Sequence, residues 1–217
     1  MELKGKKIVF LGDSITEGVG TTAPEFRYVD RIAKETGAIC VNYGISGTRL
    51  ARQTKPSDEP TFDLDFCKRA LEMDKDADIV IVFGGTNDFG HGDAPFGTFA
   101  DRTPDTFCGA CHTLCRELLE TYPDSEIAFI SPLHRDNEDS PVGDNKPAPV
   151  GTLKDYITAM REVLAYYSIP VIDLYAESKL QPHVAIIKEK FMPDGLHPSD
   201  AGNEILAKKI IAYLKAL

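Results

Sequence analysis

No stretch of the 217-residue chain approaches the roughly 18 consecutive apolar residues that a membrane-spanning helix needs, so no span is expected. The N-terminus, MELKGKK, runs straight into a strand-like segment without a secretory pattern, which points to a soluble, cytoplasmic protein. Basic residues are scarce: 24 Lys and Arg stand against 34 Asp and Glu, a formal net charge of -10. Nucleic acid is thereby excluded as a partner, because phosphates are neutralised by clustered cations. No linker, internal repeat or low-complexity tract divides the chain, and one domain over residues 1–217 is expected.

Motifs for cofactors are missing as well. Neither GxGxxG nor GxxxxGK[ST] occurs, so a nucleotide- or flavin-binding module would lack its phosphate cradle. GxSxG is absent, which removes the nucleophile elbow of α/β-hydrolases. The five cysteines, Cys40, Cys67, Cys108, Cys111 and Cys115, are odd in number and read as free buried thiols. Cys108, Cys111 and Cys115 follow helical spacing with His112 beside them, but no second ligand pair exists for a zinc ion to join. The apolar face of a helix accounts for them, and no metal is expected.

What is present is an alternation of short apolar runs and helical patterns. Strands are expected at Ile8–Leu11, Ala38–Tyr43, Asp78–Phe83, Glu126–Ser131 and Ile169–Leu174. Helices are expected at Tyr28–Thr36 before Gly37, at Phe62–Asp74, from a cap at Thr103 or Asp105 through Tyr122, at Leu153–Tyr167 and at Pro198–Leu217. Such alternation implies parallel β-α units and a three-layer α/β/α sandwich. Residues 132–150, with four prolines, form the longest irregular stretch and are expected to cover the substrate side as a lid.

Strand ends carry the chemistry. Gly12-Asp13-Ser14, Gly44-Ile45-Ser46-Gly47 and Gly84-Gly85-Thr86-Asn87-Asp88 each follow an expected strand, and Asp194-Gly195-Leu196-His197 precedes the last helix. In a parallel sheet these ends share one edge, where ligands bind. On the first segment alone, capping of the next helix by Asp13 or Ser14 explains the residues equally well. Together the segments supply a serine, a histidine and an aspartate. A hydroxyl is too weakly acidic to attack unaided; an imidazole takes its proton, and a carboxylate holds the imidazole's tautomer. Ser14, His197 and Asp194 are the candidates, and the N–H groups of Ser14 and Gly47 with the Asn87 amide are candidate oxyanion donors. Asp13 and Asp88 are assigned to structure.

These four segments, in this order and spanning residues 12 to 198, resemble the blocks of the SGNH family of GDSL-type esterases and lipases. The resemblance implies a flavodoxin-like sheet of five parallel strands and cofactor-free hydrolysis of a small-molecule ester through an acyl-enzyme on Ser14. A short acyl group such as acetyl, on a sugar or other polar alcohol, is the expected substrate; longer acyl chains, as in a thioesterase or lysophospholipase, are the alternative. His134 and Arg135, just beyond the fourth strand, are candidates for substrate contact, with solvated loop residues as the alternative. Phe89, Phe96 and Phe99 could wall an acyl pocket or pack beneath the loop that carries them. The oligomeric state is not legible.

Overall fold

The computed structural model describes residues 1 to 217. Its strands are β1 (Lys7–Gly12), β2 (Ile39–Gly44), β3 (Ile79–Phe83), β4 (Glu126–Ile130) and β5 (Val171–Ile172). All are parallel, in the order β2-β1-β3-β4-β5. The helices are α1 (Ser14–Glu17), α2 (Tyr28–Thr36), α3 (Phe66–Ala70), α4 (Thr86–Gly90), α5 (Phe107–Thr121), α6 (Leu153–Tyr166), α7 (Leu174–Glu177), α8 (Ala185–Phe191) and α9 (Asp200–Ala216). This is the expected three-layer, flavodoxin-like α/β/α sandwich.

The pleat of β1 explains why it lies inside the sheet. Val9 and Leu11 point into a core shared with α3, α5 and α6, while Ile8 and Phe10 point into one shared with α2 and α9. All four side chains are fully buried, and each contributes about 1.5–3 kcal/mol on leaving water. From β1 the chain moves out to β2 on one side and returns to β3 on the other. The carboxyl ends of β1 and β3 therefore diverge at the topological switch point, where a crevice must open.

Several local expectations need correction. β2 is not buried on both faces: it is the sheet's edge, and Ile39 is 58% exposed. β5 is a two-residue strand, since Asp173 caps the short α7 by accepting from Ala176 N–H. The helix expected over Phe62–Asp74 is reduced to α3, because Asp65 caps it by accepting from Lys68 N–H while residues before it follow the loop at Arg49. Thr106, rather than Thr103 or Asp105, caps α5 through the Gly109 N–H.

Residues 132–150 contain no helix or strand, but they are stitched to the body. Asp136 N–H donates to Gly195 O at 2.9 Å, Asp144 N–H to Gly90 O at 2.8 Å, and Lys146 Nζ to Asp88 O at 2.5 Å. The expected lid is a packed wall. No helix is long and apolar enough to cross a membrane.

Candidate active site

The site begins where β1 ends. Gly12 is required there, since a Cβ would lie 1.9 Å from Thr16 Oγ1 as the chain turns into α1. Asp13 caps α1 by accepting from Ile15 N–H at 3.0 Å, which leaves Ser14 as the first helical residue at the crevice. As that first residue, Ser14 has an N–H without an intrahelical acceptor. Asp13 is buried, and burial pushes its carboxyl up to about 7 against the pull of the Ile15 N–H and the Arg69 charge.

Two charged side chains hold the glycine loop against α1. Glu17 accepts from Ser46 N–H at 2.7 Å and from the Ser46 hydroxyl. Arg69, buried in the core, donates to Thr48 Oγ1 at 2.7 Å, to Gly12 O at 3.0 Å and to Tyr43 O. One guanidinium thus ties the ends of β1 and β2 to the loop that follows β2 and to the helix it belongs to. Gly47 takes a left-handed φ of 74°, and a Cβ there would fall 2.1 Å from the Phe62 ring. Its N–H donates to no protein acceptor.

α4 is nucleated by tertiary contacts. Both carboxylate oxygens of buried Asp88 accept backbone N–H groups, from Leu50 and Ala51, each at 2.9 Å. Burial raises the Asp88 carboxyl while those N–H groups lower it. This anchorage places Asn87, 5% exposed, so that Nδ2 donates to Thr48 O at 3.0 Å. Asn87 Oδ1 meets His91 Nε2 at 3.2 Å.

The fourth segment folds back on itself. Asp194 Oδ1 accepts from Leu196 N–H at 2.9 Å and His197 N–H at 2.7 Å, while Oδ2 lies 2.7 Å from His197 Nδ1. Burial raises this carboxyl, but the His197 backbone and ring and the Leu196 N–H outweigh it and hold Asp194 below the usual carboxylate range. His197 Nε2 is 2.9 Å from Ser14 Oγ. Ser14, His197 and Asp194 are therefore one hydrogen-bonded line. Beside it lies an open cleft of about 320 Å³, bordered by Ser14, Gly47, Phe62, Asn87, His91, Asp144 and His197.

His134 and Arg135 are not brought to this cleft. Arg135 turns inward, 5% exposed, and donates to Thr86 O at 3.2 Å and to Asp144 Oδ1 at 2.5 Å. His134 pairs with Glu138 at 2.8 Å and lies against the Tyr175 ring, centroids 3.9 Å apart. Phe89 and Phe96 pack on Tyr156 in the core, and Phe99 packs on His112 and Tyr166. The aromatic wall is Phe62, to which the sequence reading gives no role. His91 is also missed; its one local signal is its place four residues after Asn87, on the same helical face. Cys67, Cys108, Cys111 and Cys115 are buried core thiols, with burial raising each above the ordinary range. No group of three or more His, Cys, Asp or Glu converges as a metal site.

Comparison with known proteins agrees with this geometry. One solved structure is 32% identical with a TM-score of 0.86, covering 100% of this chain and 99% of its own. A Lactobacillus plantarum protein is 28% identical with a TM-score of 0.82, covering 98% of each chain. An acetyl xylan esterase shares the fold at 19% identity and a TM-score of 0.64, covering 95% of this chain and 98% of its own. No functionally curated protein matches the chain. The sequence profile of the GDSL-like Lipase/Acylhydrolase family matches residues 10–205, a span that takes in all four segments around the cleft. The chain belongs to that family of ester hydrolases.

Proposed function

We propose that the protein is a serine esterase for short acyl groups, acetyl above all, carried on a carbohydrate or other polar alcohol. The observation that carries this reading is the unbroken line Ser14 Oγ–His197–Asp194, opening on the cleft. His197 Nε2 takes the Ser14 proton as Oγ attacks the ester carbonyl. The oxyanion is met by the N–H groups of Ser14 and Gly47 and by Asn87 Nδ2. His197 then protonates the departing alcohol, leaving the acyl group on Ser14. Water, activated by the same imidazole, attacks the acyl-enzyme and releases the acid. Every proton and electron pair moves between substrate, water and these side chains, so the route calls for no metal or cofactor.

A short acyl group is favoured because Phe62 lies against Gly47 with its ring 5.7 Å from that of His91, so a rigid aromatic wall borders the cleft beside the oxyanion donors. The likeness in fold to an acetyl xylan esterase is consistent with that substrate class. The test is hydrolysis of p-nitrophenyl acetate, butyrate and octanoate by wild type and Ser14→Ala. Acetate should be fastest, and Ser14→Ala should lose at least about 10⁴-fold in kcat. Preference for octanoate would move the substrate to longer acyl chains. Equal rates in the two proteins would reduce Ser14 to a helix residue and remove the mechanism.

A further inference from the structure

Arg49 is buried at 4% exposure and forms no ion pair. Its guanidinium is spent on neutral groups: Nη1 donates to Phe62 O at 3.0 Å, and Nη2 lies 2.6 Å from His91 Nδ1. A guanidinium has donors only, so His91 Nδ1 must accept. The imidazole proton then resides on Nε2 and is donated to Asn87 Oδ1 at 3.2 Å. With Oδ1 so engaged, Nδ2 faces Thr48 O at 3.0 Å and keeps one further N–H for the cleft. A flipped amide would set two donors against each other at His91 and two acceptors at Thr48. Burial first, and the Arg49 charge second, hold His91 down to about 4, so the ring is neutral near neutral pH.

We infer that Arg49 and His91 are positioning residues for ester hydrolysis: together they lock and polarise the Asn87 amide so that its free Nδ2 proton is presented to the oxyanion. This inference rests on the proposed role of Asn87. A charged donor at the head of a hydrogen-bond chain strengthens each bond after it. As negative charge grows on the substrate oxygen, the chain Arg49→His91→Asn87 delivers a fixed dipole without moving a proton. Arg49 also anchors the Phe62 carbonyl, so the same guanidinium sets the cleft's aromatic wall.

The test is a double-mutant cycle on p-nitrophenyl acetate. Asn87→Ala should lower kcat by about 10²- to 10³-fold, as removal of one oxyanion donor does. His91→Phe, which keeps a ring but no hydrogen bond, should lower kcat by about 10- to 100-fold with KM within about twofold. His91→Gln, able to accept from Arg49 and donate to Asn87, should recover most of that loss. In the Asn87→Ala background, His91→Phe should cost nothing further. An undiminished cost in that background, or equal losses for Phe and Gln, overturns the inference while leaving the role of Asn87 intact. An Asn87→Ala variant as fast as wild type removes the inference together with Asn87, and Ser14→Ala then reports separately on the esterase reading. Nitrogen-15 NMR of histidine-labelled wild type depends on no variant folding: His91 should show the Nε2–H tautomer near pH 7, and an Nδ1–H tautomer or imidazolium there overturns the proposal.

Discussion

Two histidines face the cleft, and each bridges a charged group at Nδ1 and a polar side chain at Nε2. His197 has Asp194 on Nδ1 and Ser14 on Nε2; His91 has Arg49 on Nδ1 and Asn87 on Nε2. The sign of the partner decides everything that follows. A carboxylate keeps the proton on Nδ1, leaves Nε2 bare to accept from a serine, and stabilises the imidazolium that results. A guanidinium makes Nδ1 an acceptor, fixes the proton on Nε2 and opposes a second one. One ring is suited to exchange protons and the other to hold a dipole still, although the side chains are identical.

The largest test of this contrast is to give His197 the kind of partner His91 has. In Asp194→Asn, the amide oxygen can still accept from the Leu196 and His197 N–H groups, which turns the new NH₂ toward His197 Nδ1. That donor drives the proton to Nε2, the tautomer that cannot accept from Ser14. Measured on p-nitrophenyl acetate near pH 7, kcat should fall by on the order of 10⁴-fold with folding preserved. A loss below about tenfold would mean that Asp194 does not set the tautomer, and the contrast with His91 would collapse.

Why one of these histidines is legible in the sequence and the other is not follows from where their partners lie. Asp194 and His197 belong to one turn, and the strand ends at Ser14, Gly47 and Asn87 are marked by small residues after apolar runs. β1, β3 and α2 fall within a residue of their expected spans for the same reason. His91 takes its meaning from Arg49, far away in the chain, and from α4, a five-residue helix that propensity would not sustain without Asp88 gripping the loop at Leu50 and Ala51. Arg135 shows the converse case. Its position beyond β4 is at the cleft's edge of the sheet, but position does not fix direction, and Thr86 and Asp144 draw the side chain inward. Phe62 is hidden by an expected helix that the Asp65 cap cuts short.

The contrast also has a consequence for stability. His91 titrates near 6.5 when unfolded but is held to about 4 in the folded protein, by burial and by Arg49, with Arg135 and Lys146 adding to it and Asp144 opposing. The unfolded chain therefore binds the proton first as pH falls. Stability from this residue is fully present above about pH 6.5 and is lost toward pH 4, by up to about 3 kcal/mol. Urea unfolding at about pH 7, 5.5 and 4.5 should show wild type weakening more steeply than His91→Gln across that window. Parallel pH profiles would mean that His91 is not held neutral by its surroundings.

The smallest effect is expected at a third histidine, which separates the dyad from the site. His134 Nδ1 sits 2.8 Å from Glu138, as His197 does from Asp194, so a histidine–carboxylate pair alone does not mark catalysis. Here no hydroxyl meets the ring's far side; the imidazole lies against Tyr175 and serves a carboxylate that is 6% exposed. Burial raises Glu138, and the His134 hydrogen bond and charge, the Gln181 amide and the Arg135 N–H together more than offset it. His134→Ala should leave kcat/KM for p-nitrophenyl acetate within about twofold, while lowering stability by about 1–2 kcal/mol as Glu138 is left with only the Gln181 amide and the Arg135 N–H. A loss of tenfold or more in kcat/KM at unchanged urea midpoint would return His134 to the substrate and redraw the edge of the cleft.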